Sequence, residues 1–125
     1  MMMTFLQVAA GGAIGSMLRF GVTVAMARMS GAGFPVGVLT VNVAGSFAIG
    51  VLSVLAFHRG IAPLNPFLIT GILGGFTTFS TFSLEALTLY ERGQAGAALS
   101  YVGLTLVLSL GAVALGAWAA RAVVA

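Results

Sequence analysis

The sequence alternates between long apolar stretches and short polar connections. Four stretches, at residues 4–26, 35–57, 66–90 and 95–120, are predominantly apolar, and each has the roughly 20 residues that an α-helix needs to cross a bilayer. Because the connections between them are short, we expect consecutive helices to run antiparallel. The pattern predicts an all-α integral membrane protein in which residues 1–125 form a single domain of four transmembrane helices.

The start of the first stretch indicates whether this stretch is a cleaved signal peptide or a retained helix. Residues 1–4 read Met-Met-Met-Thr and lack the positively charged region that precedes the apolar core of a cleaved signal peptide, and the stretch itself is longer than such a core. We therefore expect a retained helix that also directs membrane insertion.

The composition supports the membrane class and excludes several functions. Of the 125 residues, 60% are hydrophobic and 6% are charged, whereas a soluble domain has about a quarter of its residues charged. The chain has no Cys, one His and two acidic residues, so neither a thiolate metal site nor a paired-carboxylate active site is expected, and we predict that it is not an enzyme. Five scattered arginines do not form the basic patch that binds nucleic acid.

The arginines are balanced across the predicted membrane. Arg59 and Arg121 fall on the side that holds the N-terminus, Arg28 and Arg92 fall on the other side, and Arg19 lies within the first stretch. An excess of Lys and Arg in cytoplasmic loops normally sets orientation, and here no excess exists. Either a few other groups decide the orientation, or the chain inserts both ways and pairs with its own inverted copy.

Small residues recur at the four-residue spacing that lets transmembrane helices approach closely. The repeats are Gly11-x3-Gly15, Gly71-x3-Gly75 and Ala112-x3-Gly116-x3-Ala120. Such spacing usually produces packing within one chain. Four short helices leave little room for an internal water-filled path, so a transport function would favour a dimer with the path between or alongside the subunits.

The third stretch carries an unusual polar run, Gly74–Ser83, with two glycines and five hydroxyl side chains. Glycine and threonine are poor residues for a helix interior. A helix broken near mid-membrane would offer carbonyls that suit a cation at one half-helix end and amides that suit an anion at the other. The alternative is an unbroken helix in which Gly packs against a neighbour and hydroxyls bond back to carbonyls.

Two phenylalanines interleave with these hydroxyl groups. Phe79 and Phe82 are three residues apart, so a helix would project them from nearly the same face. A phenyl ring has a negative face and a positive edge. Rings turned edge-on can therefore contact an anion, although most phenylalanines in membrane helices simply contact lipid or the protein core.

Other polar side chains also fall within the apolar stretches, where such residues are candidates for function. Asn42 in the second stretch either bonds to another helix or offers its NH2 group to an anion. Tyr101, Thr105 and Ser109 follow one another at intervals of four in the fourth stretch. Their hydroxyl stripe either forms hydrogen bonds within the bundle or presents a row of donors to an ion.

Two charged residues complete the set of intramembrane candidates. Arg19 lies about two turns inside the end of the first stretch, from where its side chain can extend to the interface. Glu85 lies about one turn beyond Phe82 and can extend in the same way or pair with an arginine.

Three segments, at 12–20, 37–47 and 71–85, strongly resemble the CrcB/Fluc family of fluoride channels. The most specific part is the run Gly-Gly-Phe-Thr-Thr-Phe-Ser-Thr-Phe-Ser at 74–83, and the similarity extends over essentially the whole chain. The resemblance implies an antiparallel, dual-topology homodimer with two separate pores in the inner (plasma) membrane. It also implies passive export of fluoride from the cytoplasm down its electrochemical gradient, and so fluoride resistance.

The resemblance also implies roles for individual residues. The anion pore would be lined by Asn42, Phe79, Ser80, Thr81, Phe82, Ser83, Tyr101, Thr105 and Ser109. Arg19 would lie in a vestibule, and Glu85 near the pore end with no settled role. A structural Na⁺ at the dimer centre would be bound by the backbone carbonyls of Gly74 and Thr77 from both subunits.

Two other classes share parts of this pattern. A proton-coupled small multidrug transporter is also a four-helix, dual-topology dimer, but it is expected to carry a Glu in its first helix, where this chain has Arg19 and no acid. A membrane scaffold or assembly subunit would need neither Asn42 nor the polar run of the third stretch.

Overall fold

A computed structural model of the chain describes residues 1–31 and 33–124. Within them the α-helices are α1 (Met2–Ser30), α2 (Val36–Arg59), α3 (Gly74–Phe76), α4 (Ser80–Glu91) and α5 (Ala95–Val124). The third crossing runs over Ala62–Glu91 and, like α1, α2 and α5, is long and apolar enough to span a membrane. The protein is therefore an all-helical, multi-pass membrane protein. The helices extend past the predicted apolar stretches, since backbone hydrogen bonding continues into polar end residues such as Ser30 and Arg59.

The third crossing is assembled from several pieces. A 3₁₀ turn, Ala62–Leu64, and a π-helical segment, Pro66–Leu73, lead into the short helix α3. Residues 77–79 lie outside any helix, and Thr77 has extended backbone angles, with φ −86° and ψ 159°. We call residues 77–79 the interruption; α4 begins directly after it.

Two of the small-residue repeats pack against each other, and they join α1 to the third crossing. A Cβ atom placed on Gly71 would lie 2.8 Å from Gly11 Cα, and one placed on Gly75 would lie 2.7 Å from Gly12 O. The backbones therefore touch, which maximises van der Waals contact between the helices. This contact matters because no hydrophobic force brings helices together in lipid. The prediction that these repeats pack within the chain is confirmed.

The third repeat joins α5 to α2. A Cβ atom on Gly116 would meet the backbone of Phe47 and lie 3.3 Å from Val51 N. Helix α4 and the beginning of α5 complete the bundle, where Phe82, Leu89 and Tyr101 belong to a buried cluster. The helices of the third crossing are thus held by α1 on one side and by α2 and α5 on the other.

Much of the outer surface is apolar. Phe5, Met17, Phe57 and Trp118 are among the large hydrophobic side chains that are mostly exposed. Exposed apolar surface of this extent is typical of a protein that contacts lipid or another apolar surface rather than water.

Candidate functional site

A groove of about 340 Å³ lies between α2, the interruption and α5; we call it the central groove. Its polar and aromatic lining consists of Asn42, Ser46, Thr77, Thr78, Phe79, Phe82, Thr105 and Ser109. Five of these side chains were predicted as pore residues from three separate stretches of sequence. The fold brings them to one surface, together with Gly74 and Thr77.

Asn42 is hydrogen-bonded to the interruption in both directions. Its Nδ2 donates to the Thr78 carbonyl at 2.9 Å, and its Oδ1 accepts from the Thr78 amide at 2.8 Å. The side-chain amide thereby replaces hydrogen bonds that an α-helix would supply to Thr78, as buried backbone groups require. Asn42 connects two helices, and its Nδ2 retains a second N–H.

These bonds change the environment of two carbonyls. In a continuous α-helix the amide of Thr78 would donate to the Gly74 carbonyl, and the amide of Thr81 to the Thr77 carbonyl. Here the Thr78 amide donates to Asn42, and the Thr81 amide donates to Thr78 Oγ1 at 3.2 Å. The Gly74 and Thr77 carbonyls have therefore lost these helical donors.

The freed carbonyls fit the chemistry of the implied sodium site. Unwound backbone carbonyls at membrane depth are the ligands that transporters use for Na⁺. Gly74 is exposed on the surface of the chain. The residues present fit a hard cation bound by backbone oxygen.

The hydroxyl groups of the polar run fall into two sets. Thr78 Oγ1 lies 3.3 Å from both Ser80 Oγ and Thr81 Oγ1, so these three side chains form a connected cluster at the start of α4. Ser83 Oγ instead donates to the Phe79 carbonyl at 2.8 Å. Ser83 therefore makes the local bond of an ordinary helical serine, whereas the cluster groups bond with one another.

The hydroxyl groups of the stripe on α5 also fall into two sets, one with a hydrogen-bond partner and one without. Tyr101 is completely buried, and its hydroxyl donates to Glu85 Oε1 at 3.1 Å. Thr105 Oγ1 and Ser109 Oγ are buried but have no hydrogen-bond partner within the described part of the chain. A buried hydroxyl without a partner costs about 1–3 kcal/mol. Both groups line the central groove, where they can donate to a ligand or water.

The aromatic rings form a row beside these hydroxyl groups. The Phe79 and Phe82 centroids are 5.4 Å apart with the ring planes at 57°, and those of Phe82 and Tyr101 are 5.2 Å apart at 51°. Phe82 is 5% exposed, whereas Phe79 is 73% exposed. Phe82 is thus fixed within the chain, while Phe79 lines the groove with most of its side chain exposed.

The two charged candidates occupy different places. Glu85 is half-buried and accepts a hydrogen bond from Tyr101. Arg19 is half-buried on α1, outside the lining of the central groove.

Sequence reasoning missed two polar residues that line the central groove, Ser46 and Thr78, and a third residue outside its lining, Phe34. Thr78 is buried and connects Asn42 to the hydroxyl cluster. Phe34 packs edge-on against Tyr101, with centroids 5.5 Å apart. A signal for Thr78 existed, because it lies within the polar run, whereas Phe34 lies in a connection with no pattern to single it out.

Comparison with known proteins gives the family that the chain resembles. The family model described as CrcB-like protein, Camphor Resistance (CrcB), matches residues 6–117. A curated relative from Ruegeria sp., named "Fluoride-specific ion channel FluC", is 56% identical over 124 residues, which are 98% of each chain.

Relatives from two further bacteria carry the same name. The protein of Paracoccus denitrificans is 56% identical over 113 residues, which are 90% of each chain. That of Agrobacterium fabrum is 49% identical over 114 residues, covering 90% of this chain and 91% of the relative. The similarity therefore includes all four crossings.

Proposed function

The chain belongs to the CrcB family, whose relatives are named as ion channels and not as enzymes, and from this premise we propose that it is a fluoride-selective channel. The observation that carries the proposal is the pair of buried, unpartnered hydroxyls of Thr105 and Ser109 in the central groove. Neither hydroxyl has a partner in the described residues, so both O–H groups are free to donate to an anion.

The chemistry of fluoride fits this lining. Fluoride is small and holds its hydration water tightly, so a selective path has to supply several close donors in place of water. The second N–H of Asn42 and the two free hydroxyls are neutral donors. Neutral donors hold the ion weakly at several positions, which conduction requires. Chloride is larger, so a path narrow enough to contact dehydrated fluoride is expected to exclude it.

The phenyl rings extend this row of partial positive charge. Ring edges carry the positive part of the quadrupole, and Phe82 is held at a fixed tilt by its contacts with Phe79 and Tyr101. We propose that the edges of Phe79 and Phe82 contact the dehydrated ion between the hydroxyl groups.

We further propose that two chains assemble as an antiparallel, dual-topology homodimer with two pores. The balance of Arg28 and Arg92 against Arg59 and Arg121 supports insertion in both orientations. The 73% exposure of Phe79 supports a partner surface that completes the pore.

A sodium ion is the proposed link between the two chains. The carbonyls of Gly74 and Thr77, freed from helical bonding, would hold it together with the same carbonyls of the second chain. When bound, the cation would offset the mutual repulsion of carbonyl oxygens at the centre of the dimer. The neighbouring Asn42 keeps the interruption open by occupying the amide of Thr78.

The proposed role is passive export across the inner membrane. When the surroundings of a cell are acidic, fluoride crosses the membrane into the cell as neutral HF. The HF then ionises in the cytoplasm. The negative interior potential then drives the anion outward through an open channel, which gives fluoride resistance without ATP or proton coupling.

A flux assay tests this function directly. Purified protein in liposomes loaded with equal fluoride and chloride is expected to release fluoride when a potassium ionophore sets an outward driving force for anions, while chloride is retained. Ion-selective electrodes measure both rates, and protein-free liposomes provide the control. Equal release of the two anions, or release of neither, would contradict the proposal.

A further inference from the structure

One turn of α2 contacts two consecutive residues of the interruption. Asn42 is hydrogen-bonded to the backbone of Thr78 through both ends of its side-chain amide. Gly45 lies three positions later, on nearly the same face of the helix, and packs against the side chain of Thr77. The same turn therefore holds Thr78 by hydrogen bonds and Thr77 by packing.

Gly45 is buried, and the methyl group of Thr77 fills the space that a side chain at residue 45 would occupy. A Cβ atom placed on Gly45 would overlap Thr77 Cγ2 and lie 3.4 Å from Phe76 Cδ2. Glycine inside a helix costs about 1 kcal/mol relative to alanine, so the helix itself does not favour it here. We call the space beside Gly45 that holds the Thr77 methyl group the methyl socket.

The methyl socket differs from the close contacts that join whole helices. Gly50, Gly71 and Gly75 approach backbone atoms of a neighbouring helix, which is the usual use of small residues in membrane packing. Gly45 instead receives a side chain of the interruption. Its contact therefore bears on the conformation of the interruption and not only on the spacing of the helices.

The hydroxyl group of Thr77 fixes the same side chain from another direction. Thr77 Oγ1 donates to the Leu73 carbonyl at 2.9 Å, and the Thr77 amide donates to the same carbonyl at 3.0 Å. A β-branched side chain has few χ1 rotamers, so turning the methyl group out of the socket would give up the hydroxyl bond. The position of the methyl group is therefore linked to that of the Thr77 backbone.

The Thr77 backbone carries one of the two carbonyls of the proposed sodium site. Its ψ of 159° is far from the helical value of about −42°, so the carbonyl is turned away from the helical direction. The Thr81 amide, which would bond to this carbonyl in a continuous helix, donates to Thr78 Oγ1 instead. The direction of the carbonyl therefore depends on the contacts that hold residue 77, and the methyl socket is one of them.

We propose that Gly45 is a positioning residue for the Thr77 carbonyl, because it admits the Thr77 methyl group and so sets the direction of an oxygen that would bind sodium. This inference rests on the sodium site of the proposed function. A side chain at residue 45 would push Thr77 away from α2 and move its carbonyl. Groups that orient a metal ligand typically contribute about 10- to 100-fold to metal affinity, so Gly45 affects sodium binding without offering a ligand.

The first test fills the socket with Gly45→Ala. The melting temperature of the detergent-solubilised protein is measured across a Na⁺ titration, with K⁺ keeping the ionic strength constant. A bound ion stabilises by mass action, so the Na⁺ concentration at which the melting temperature begins to rise reports the affinity for sodium. In Gly45→Ala this concentration is expected to increase at least about tenfold.

The control for this variant is Gly50→Ala, on the same helix. Its Cβ atom would meet the backbone of Val113 on α5 and not the interruption. The variant is expected to lower the melting temperature at every Na⁺ concentration, because two helices are forced apart, without moving the concentration at which Na⁺ begins to stabilise.

The second test restores the fit. Thr77→Ser keeps the hydroxyl group that bonds to Leu73 and removes the methyl group, so in the double variant Gly45→Ala, Thr77→Ser the alanine Cβ takes the vacated space. The Na⁺ concentration is expected to return to within about twofold of the wild-type value, since the two changes compensate each other. A glycine needed only for helix packing would not be rescued by a change at residue 77.

The outcomes separate the two proposals. If Na⁺ does not stabilise the wild-type protein, the sodium site fails, and the role of Gly45 fails with it. If Na⁺ does stabilise it, then an unchanged Na⁺ dependence of Gly45→Ala, or a double variant no better than Gly45→Ala, would overturn the role of Gly45 and leave the sodium site standing. If Gly45→Ala does not fold, a folded double variant with the wild-type Na⁺ dependence supports the inference, and any other result for the double variant overturns it.

Discussion

Single residues in the central groove show how far a pattern can predict a contact. The spacing of Phe79 and Phe82 predicts neighbouring rings, and their centroids are 5.4 Å apart. Their different exposure could not be predicted, because Phe79 belongs to the interruption and Phe82 to the buried side of α4. The partner of Asn42 could not be predicted either, since Thr78 lies 36 positions away in the sequence.

Replacement of Phe82 by isoleucine tests the role of the ring edge. Isoleucine keeps an apolar side chain of moderate size but has no quadrupole, so fluoride efflux from Phe82→Ile liposomes is expected to fall at least about tenfold, equivalent to about 1.4 kcal/mol of barrier. Chemical cross-linking and size-exclusion chromatography should show the wild-type oligomer.

The control for this variant is Phe57→Ile, which changes an 85% exposed ring on α2 outside the groove lining. It is expected to leave efflux unchanged. Wild-type efflux from Phe82→Ile would remove the ring edge from the mechanism and leave the hydroxyl and amide donors to hold the ion.

The third crossing is the element in which local and tertiary preferences compete. The sequence marks Gly74–Ser83 as poor helix, but Gly74 and Gly75 remain helical. Gly75 is needed where α3 meets the backbone of α1, and helical geometry places it there. The irregular backbone instead falls at Thr77 and Thr78, where Asn42 can replace the missing hydrogen bonds. The position of the irregular backbone therefore depends on α2 and cannot be predicted from the third stretch alone.

The freed carbonyls of this element predict a dependence on sodium. Thorough replacement of Na⁺ by a large organic cation is expected to lower the thermal stability of the detergent-solubilised protein and to abolish fluoride efflux, because the carbonyls of Gly74 and Thr77 lose the charge that holds them together. Differential scanning fluorimetry across a sodium titration measures the first effect independently of flux, since bound ligand stabilises by mass action.

The same titration with potassium is the control for ionic strength, which should not restore stability. Identical melting and efflux with and without Na⁺ would show that the interruption serves the anion path alone and binds no cation.

At the scale of the whole molecule, the apolar stretches and the small-residue repeats suffice to predict four crossings and close packing within the chain. That Gly11-x3-Gly15 meets Gly71-x3-Gly75 is seen only in the structure. The stretches and repeats do not predict which surfaces would face lipid and which would face a second copy in the proposed dimer, because both environments are apolar. The charge balance bears on a different property, the orientation of the chain, since orientation depends on Lys and Arg near the ends of the crossings.

Shifting that balance tests the proposed antiparallel pairing. Two lysines added to the loop after Arg28 should bias every chain to one orientation, and fluoride efflux and resistance in cells should then be lost. One lysine added after Arg28 and one after Arg59 adds the same charge while keeping the balance, so this control should stay active. Labelling of introduced cysteines from each side of the membrane measures the orientation.

A second biased variant, with both lysines after Arg59, completes the experiment. Each biased chain alone should be inactive, whereas co-expression of the two should restore fluoride efflux, because only then are both orientations present in one membrane. If a chain shown to be fully biased is active by itself, the two copies do not pair as inverted partners, and Phe79 must be covered by a parallel copy or by lipid.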